Sequence, residues 1–317
     1  MLSYLDFLVE KSIRQGLPHV KDMDHSQFAS LIATKKVHVA DVTEKTDGMT
    51  HQMGHDEHGF YTQSSGSGSE KMRKPEDYHE RAQRRAKETG KPYDPTAANA
   101  FAHVHSILQN NKGLQKHLAD KYQKTKQETK IKGEVFYKPM GRPSEEHKGE
   151  IKFVGTSYHP GHMGSVGKYV IHSKLPDNKD HKPEELAKHS TPELNFDHDQ
   201  VKAKPVHVDV SKEHEAFHSL DHGLLASRTT KTNKSAKLAE VGKFEGIKRK
   251  VAAKVDKGVA STGVKPKWGS GSEGLVVHPS EHNPNAPRFK VTSPEFRKFK
   301  ADTKGQDFKQ RNANAKV

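Results

Sequence analysis

The sequence contains no cysteine, and its longest apolar runs are only a few residues. The lack of cysteine excludes disulfides and thiolate metal sites, and it fits a reducing compartment such as the cytosol. The short apolar runs leave nothing that can span a bilayer, and the N-terminus lacks the basic start and cleavage site of a secretory signal peptide. We therefore expect a cytoplasmic protein with no membrane partner and no disulfide partner.

Aromatic residues are also scarce, at 7%, whereas charged residues make up 30% of the 317 residues. Lysine and arginine number 54 against 40 aspartate and glutamate, which gives a formal net charge of +14. A surplus of this size favours a polyanionic partner, most often nucleic acid. Ordinary solubilising charge explains the composition equally well, so the choice between the two depends on motifs.

The 23 histidines raise the question of a metal site. They are scattered through polar stretches, without a recurring pair of ligands on a readable helix. His51, His55 and His58 form the one cluster, and we expect them in a glycine-containing turn between two strands. Solvated turn residues are therefore the better interpretation of this cluster than metal ligands.

Helices are predicted where apolar residues recur every three or four positions. They comprise an N-terminal helical segment over 1–36 with a helix after Asp24, residues 76–88, residues 95–121 with a break near Asn110-Asn111, and one long amphipathic helix from Leu238 to Val255. Gly242 and Gly246 weaken the long helix, because glycine is a poor helix former.

Strands are predicted where apolar and polar residues alternate. They are residues 37–42, which lead into Glu44-Lys45, and residues 59–62, 130–137, 149–154, 166–171, 274–278 and 288–291. Strands and helices are mixed without regular βαβ alternation, so the sequence predicts the α+β class. We expect a main domain over 37–300, with insertions at about 70–128 and 176–260, and a basic tail over 301–317.

Lys45 is the candidate nucleophile, in the sequence Glu44-Lys45-Thr46-Asp47-Gly48. A lysine that attacks the α-phosphate of a nucleotide must lose its proton, which neighbouring positive charge or a bound metal favours. Charge on the phosphate must be neutralised by further cations, and acids are needed to hold the metal and the ribose. Such a short sequence is common by chance, so the residues downstream decide the interpretation.

Three further polar residues follow in order, each within or beside a strand-like segment. They are Glu134 in Gly133-Glu134-Val135-Phe136-Tyr137, Glu273 in Glu273-Gly274-Leu275-Val276-Val277, and Lys290 in Phe289-Lys290-Val291. A sheet-lined nucleotide cleft would present acids and a lysine in this way. The separation of Glu273 and Lys290 also suits a hairpin.

These four motifs resemble those of the covalent nucleotidyltransferases, the family of ATP-dependent DNA ligases, RNA ligases and mRNA capping enzymes. The family's first motif, Lys-x-Asp-Gly, is matched at Lys45, and the preceding Thr43-Glu44 resembles RNA ligases. The third, fourth and fifth motifs are matched at Glu134, Glu273 and Lys290. The resemblance covers residues 37–64, 130–175 and 270–300.

The resemblance implies a nucleotidyltransferase fold of two antiparallel sheets around a nucleotide cleft, with ATP and Mg²⁺ as cofactors. Lys45 would form a lysyl-AMP intermediate, and Lys290 would bind the α-phosphate. Glu134 would contact the ribose, and Glu273 would hold the metal together with Glu134. The remaining nucleotide-binding residues would be Glu44, Asp47 and Gly48, with Tyr169 as the base-stacking aromatic.

Three positions depart from the family's pattern, and each departure removes positive charge near a phosphate. Thr292 stands where the fifth motif usually has a second lysine. The loop Gln63-Ser64-Ser65-Gly66 lacks the arginine that ligases commonly place there, and His278 closes the fourth motif where lysine is frequent. These losses favour the alternative of a degenerate nucleotidyltransferase fold that serves as a nucleic-acid-binding protein.

The leading hypothesis is an ATP-dependent polynucleotide ligase that acts on nucleic-acid ends or nicks. RNA joining is favoured over DNA joining, because too few residues follow Lys290 for the OB domain of DNA ligases. Lys248, Arg249 and Lys250 form the candidate nucleic-acid-binding surface, with a solvated helix face as the alternative. A short chain with RNA-ligase-like motifs would also suit a phage-encoded protein in the host cytoplasm.

Overall fold

The computed structural model describes residues 17–46, 49–64, 70–90, 92–93, 95–136, 167–175, 178–227, 230–264 and 272–293. Its helices are α1 (His25–Ile32), α2 (Glu76–Thr89), α3 (Thr96–Asn110), α4 (Lys112–Thr125), α5 (Pro183–Ala187), α6 (Ser211–His218), α7 (His222–Ala226) and α8 (Lys234–Ser261). Its strands are β1 (Lys36–Val39), β2 (Val42–Thr46), β3 (Met49–Asp56), β4 (Gly59–Ser64), β5 (Thr129–Phe136), β6 (Gly167–Ile171), β7 (Leu194–His198), β8 (Val206–Asp209), β9 (Ser272–Val277) and β10 (Phe289–Thr292). The predicted α+β class is confirmed.

The chain divides into two compact units. Unit 1 draws its described residues from the segments Met1–Lys45, Val201–Pro266 and Gly274–Val317, and unit 2 draws them from Thr46–Gln200 and Lys267–Glu273. The domain predicted over 37–300 is thus divided between the units. The stretches expected as insertions supply major elements of both, since α2, α3 and α4 belong to unit 2 and β8 and α8 belong to unit 1.

Unit 1 contains a two-stranded and a three-stranded sheet. Strand β1 pairs antiparallel with β8, so that Val37 lies opposite Val208. The three-stranded sheet has the order β10-β9-β2, and β9 and β10 form the predicted antiparallel hairpin. The prediction of one strand over 37–42 was wrong, because the chain leaves the strand conformation at Ala40-Asp41 and β1 and β2 join different sheets.

The long helix α8 packs one face into the core of unit 1. Its 28 residues include Phe244, Ile247, Val251 and Val255, which recur every three or four positions and are all buried. Burial of such a side chain contributes about 1.5–3 kcal/mol. Leu238, predicted on the same face, is instead 61% exposed. No helix in the described ranges, α8 included, is both long enough and apolar enough to cross a membrane.

Unit 2 is built on a five-stranded sheet of order β4-β3-β5-β6-β7, in which only β6 and β7 pair in parallel. Side chains alternate between the two faces of a strand. In β5, Ile131 and Val135 face an apolar core that includes Val104 of α3 and Leu114 of α4. Lys132 and Glu134 therefore lie on the opposite face of this sheet.

Local sequence signals place several boundaries correctly. The helix predicted over 95–121 breaks at Asn111, whose side chain caps α4 by accepting a hydrogen bond from the backbone of Leu114 at 3.0 Å. The helix predicted after Asp24 begins there with a reciprocal capping box. The predicted strand 149–154, the tail 301–317 and residues 1–16 lie outside the described residues.

The sequence predicts that the histidine cluster lies in a turn, but only part of it does. His51 and His55 belong to strand β3, and only His58 lies in the turn that follows it. The side chain of His51 is fully buried, on the core face of the sheet opposite Gly133. His51 is therefore a core residue and not a solvated one.

Candidate active-site residues

Lys45 and Lys290 lie on the same face of the three-stranded sheet of unit 1. Lys290 is opposite Val276, whereas the neighbouring pair of Val291 and Leu275 faces the apolar core. In β2, Val42 faces the same core, so alternation directs Lys45 to the other face. Strand β9 alone separates the two lysine-bearing strands, which are therefore about 10 Å apart.

Two hydrogen bonds fix β2 against the end of β9. The backbone N–H of His278 donates to the carbonyl oxygen of Asp41 at 2.9 Å. The side-chain Nε2 of His278 lies 3.0 Å from Oγ1 of Thr43, and both side chains are buried. Because the end of β9 meets the start of β2, the strands run antiparallel, and Lys45 lies farther along β2 from His278 than Thr43 does.

The backbone conformation of Gly274 explains why the fourth motif has a glycine at this position. Its φ of 145° lies in a region that side chains of other residues rarely adopt, and an added Cβ would lie 1.9 Å from the carbonyl oxygen of Val291. Any larger residue would push β10, with Lys290, away from β9. The preceding residue, Glu273, is buried and belongs to unit 2.

Glu44 does not share a face with Lys45. It follows Thr43 and precedes Lys45, so alternation directs its carboxylate to the face of the sheet that Val42 occupies. Its side chain is 1% exposed. Glu44 therefore does not share the face of Lys45, because adjacent residues of a strand point in opposite directions, and its contact with a nucleotide stays a prediction.

In unit 2, Glu134 stands on the polar face of the five-stranded sheet, between Thr50 of β3 and Val170 of β6. It is 4% exposed, and its Oε1 lies 3.8 Å from Nε2 of His172. The Nδ1 of the same imidazole donates to Oδ2 of Asp199 at 3.3 Å. His172 is thus held between two buried carboxylates.

Asp199 is the ionised end of this row of side chains. Burial raises the pKa of its carboxyl, but hydrogen bonds from His172 and Ser173 and the charge of His172 outweigh burial and lower the pKa below its ordinary value. Ser173 donates from both its backbone N–H, at 2.9 Å, and its hydroxyl, at 2.6 Å. Asp199 therefore fixes the ring orientation that presents Nε2 to Glu134.

Tyr169 is a core residue. Its ring is 0% exposed and packs against His51 and Phe196, and its hydroxyl donates to the carbonyl oxygen of His51 at 3.2 Å. An added Cβ on Gly133 would lie 2.7 Å from the Tyr169 ring, so the glycine of the third motif makes room for this tyrosine. The prediction of base stacking by Tyr169 is corrected, because the ring has no open face.

The predicted nucleic-acid-binding set on α8 is also divided. Arg249 and Lys250 are exposed, but Lys248 is only 5% exposed. Its Nζ donates to the carbonyl oxygen of Met23 at 3.0 Å, pairs with Glu245 at 2.7 Å and lies 4.7 Å from the centre of the Phe244 ring. Lys248 is therefore a packing residue, and the prediction that it contacts phosphate is corrected.

The predicted residues are distributed over both units. Lys45 and Lys290 belong to unit 1, and Glu134, Tyr169 and Glu273 belong to unit 2, while Asp47 and Gly48 lie outside the described residues. Among the described side chains, no three histidines or acids are grouped so that they could hold a metal ion. A Mg²⁺ ion that arrives with nucleotide phosphates needs only one or two carboxylates, so the assignment of Glu134 and Glu273 to Mg²⁺ stays a prediction.

Sequence reasoning missed His172 and Asp199 as neighbours of Glu134, and it noted His278 only as a departure in the fourth motif. Each follows directly on a strand, so the signal was a polar residue at a strand end. Asp199 follows a strand within the polar stretch 176–260, where the sequence predicts an insertion and no strand. Comparison with known proteins adds nothing, since no family model, curated protein or solved structure matches this chain.

Proposed function

We propose that the protein is a lysine-adenylating nucleotidyltransferase with Lys45 as its nucleophile. The observation that supports it best is the shared face of Lys45 and Lys290, opposite the apolar core of the three-stranded sheet. A lysine with only a structural role does not require a second lysine on the same face of the sheet. A lysine that attacks a phosphate needs such a cation, because charge develops on the phosphate oxygens in the transition state.

In the proposed reaction, the unprotonated Nζ of Lys45 attacks the α-phosphorus of ATP. A bond forms between nitrogen and phosphorus, and the bond from phosphorus to the oxygen bridging to the β-phosphate breaks. Pyrophosphate leaves with that electron pair, and the proton lost from Nζ passes to solvent. Lys290 would stabilise the negative charge of the α-phosphate throughout this step.

Acidic residues would serve binding rather than bond formation. Glu134 would accept hydrogen bonds from the ribose, with His172 and Asp199 holding it in position. Glu134 and Glu273 would hold Mg²⁺, which supplies charge neutralisation for the phosphates when bound. The buried positions of both carboxylates suit this role, since burial strengthens electrostatic contacts.

The second half of the proposal is strand joining. AMP on Lys45 would pass to a 5′-phosphate of a nucleic acid, and a 3′-hydroxyl would then displace AMP to form the phosphodiester. RNA ends are the favoured substrate, with DNA nicks as the alternative. The net charge of +14 supports a polyanionic substrate but does not distinguish RNA from DNA.

Adenylation is tested by incubating the full chain with Mg²⁺ and ATP labelled at the α-phosphate, then denaturing it and looking for label on the protein. We expect label on wild type, none on Lys45→Ala, and at least a tenfold slower rate for Lys290→Ala. Lys36→Ala is the matched control, because Lys36 is an exposed lysine on another strand of unit 1. It should label like wild type.

Two results would contradict the proposal. An unlabelled wild type would leave a nucleic-acid-binding protein with a degenerate site as the better function. Label that persists on Lys45→Ala would remove Lys45 as the nucleophile. Joining is scored separately, by incubating the labelled protein with nicked duplexes and single strands of RNA and DNA.

A further inference from the structure

The exposed face of α8 carries a row of cations. Lys243, Lys250 and Lys257 recur every seven residues, which places them on one side of the helix, and all three are exposed. Arg249 flanks the same exposed face on its other side. Gly242, Gly246 and Ala253 lie between the row and Arg249 by their helical spacing, so the face has a low centre and cationic edges.

Three acids lie on or near this face, and Asp256, two turns after Arg249 on the same edge, is half-buried. Glu240 is buried and bonded to Lys243, and Glu245 pairs with the buried Lys248. Arg249, Lys250 and Lys257 make no ion pair or hydrogen bond within the described part of the chain. Their charges are therefore available to an outside partner, unlike that of Lys254, which pairs with Glu213 at 2.6 Å.

The two glycines have no packing reason within the described structure. A Cβ added at Gly242 or at Gly246 would meet no atom within 4 Å. A glycine inside a helix costs about 1 kcal/mol relative to alanine, so alanine would serve the helix better at both positions. A close approach by a partner accounts for glycine there.

We propose that this face of α8 binds the phosphodiester backbone of double-stranded nucleic acid. The row from Lys243 to Lys257 is about 20 Å long, a length over which one strand of a duplex presents about six phosphates. The low centre lets a backbone approach while Arg249 and the lysines reach phosphates on either side of it. This binding would not require adenylation of Lys45.

An anionic membrane is the less suitable partner for this face. Helices that lie on membranes insert large apolar side chains beside their cations. Among the described residues of α8, Leu238 is the one large hydrophobic side chain that is strongly exposed, and it precedes the row of cations. Charge therefore carries the recognition, and a nucleic-acid duplex presents about one negative charge per 1.7 Å of its axis to such a face.

The test measures binding of the full chain to a labelled 20-base-pair duplex at several salt concentrations. The triple variant R249A/K250A/K257A should bind at least tenfold more weakly, and the slope of log affinity against log salt should fall by about two to three. The matched control K112A/K116A/K124A removes three lysines from α4 in unit 2. It should bind like wild type.

The glycines give a second, independent readout. Gly246→Ala should raise the melting temperature, because its Cβ points into open space, and yet weaken duplex binding several-fold by blocking close approach. Equal losses in the two triple variants would show that the binding is a general effect of charge and overturn the proposal. A triple variant of α8 that binds as tightly as wild type would also overturn it, as would tighter binding of single strands or of polyglutamate than of the duplex.

Discussion

The imidazole of His278 and the hydroxyl of Thr43 join β9 to β2 by a buried hydrogen bond of 3.0 Å, two residues before Lys45. This bond holds the strand of the candidate nucleophile at its start. A buried polar group that loses its partner costs about 1–3 kcal/mol, so the two side chains depend on one another.

Thr43→Val should therefore lower the free energy of unfolding by about 1–2 kcal/mol, because valine has the shape of threonine without its hydroxyl. Urea unfolding measures the change. Thr43→Ser keeps the hydroxyl and should restore most of the stability. If valine and serine variants unfold at the same urea concentration, the hydrogen bond does not stabilise β2.

Removal of the His172 ring should affect nucleotide binding more than stability. His172→Ala leaves Glu134 without its neighbour, and we expect about a tenfold higher KM for ATP in the adenylation assay with a smaller change in kcat. Asp199→Asn should give part of this effect, because an amide orients the ring less firmly. A His172→Ala enzyme with the KM of wild type would limit His172 to a structural role.

His51 should make unit 2 sensitive to acid. Burial, together with the nearby His105, lowers the pKa of His51 to about 3, whereas an unfolded histidine has a pKa of about 6.5. Below pH 6.5 the imidazole of His51 is protonated in the unfolded state but stays neutral in the folded state. The stability present above pH 6.5 is thus lost as the pH falls toward 3, by about 2 kcal/mol between pH 7 and pH 5.

His51→Phe should remove this part of the acid sensitivity. The hydroxyl of Tyr169 keeps the carbonyl oxygens of residue 51 and of Ile131 as acceptors, so the variant should stay folded. The measurement is the free energy of unfolding at pH 7 and at pH 5 for both proteins. An unchanged pH dependence would show that another buried histidine, such as His181, dominates it.

Lys248→Met should destabilise unit 1 by about 1–3 kcal/mol, because the buried carbonyl of Met23 loses its donor. The same variant should bind nucleic acid with the affinity of wild type. Arg249→Met, one position along on the exposed face, should show the reverse pattern of unchanged stability and weaker binding. Equal effects of the two variants on binding would restore Lys248 as a phosphate contact.

The helical parts of the fold could be predicted because helices depend on residues close in sequence. The stripe of Phe244, Val251 and Val255 predicts α8, and Asn111 marks the break between α3 and α4. The β9–β10 hairpin was accessible for the same reason, since its strands adjoin along the chain. Lys248 falls on the buried stripe between Phe244 and Val251, so its burial could have been predicted from spacing.

Pairing between distant strands could not be predicted. Strands β7 and β8 have only four or five residues, and each shows two apolar side chains within a polar stretch. Their partners β6 and β1 were predicted as strands, but the sequence does not show which strands pair, and register depends on the assembled core. The position of Tyr169 could not be predicted either, because the sequence of a strand does not show whether an aromatic side chain faces a ligand or the core.

The pairing of β1 with β8 has a consequence for synthesis. Val39 is made early and must wait for Val206 before it can pair, while the strands and helices of unit 2 between them can already fold on the ribosome. Unit 1 is finished only when β10 has emerged. In a nascent chain that stops before β9, unit 2 should therefore be folded while unit 1 is still incomplete. The three-stranded sheet that contains Lys45 is completed last.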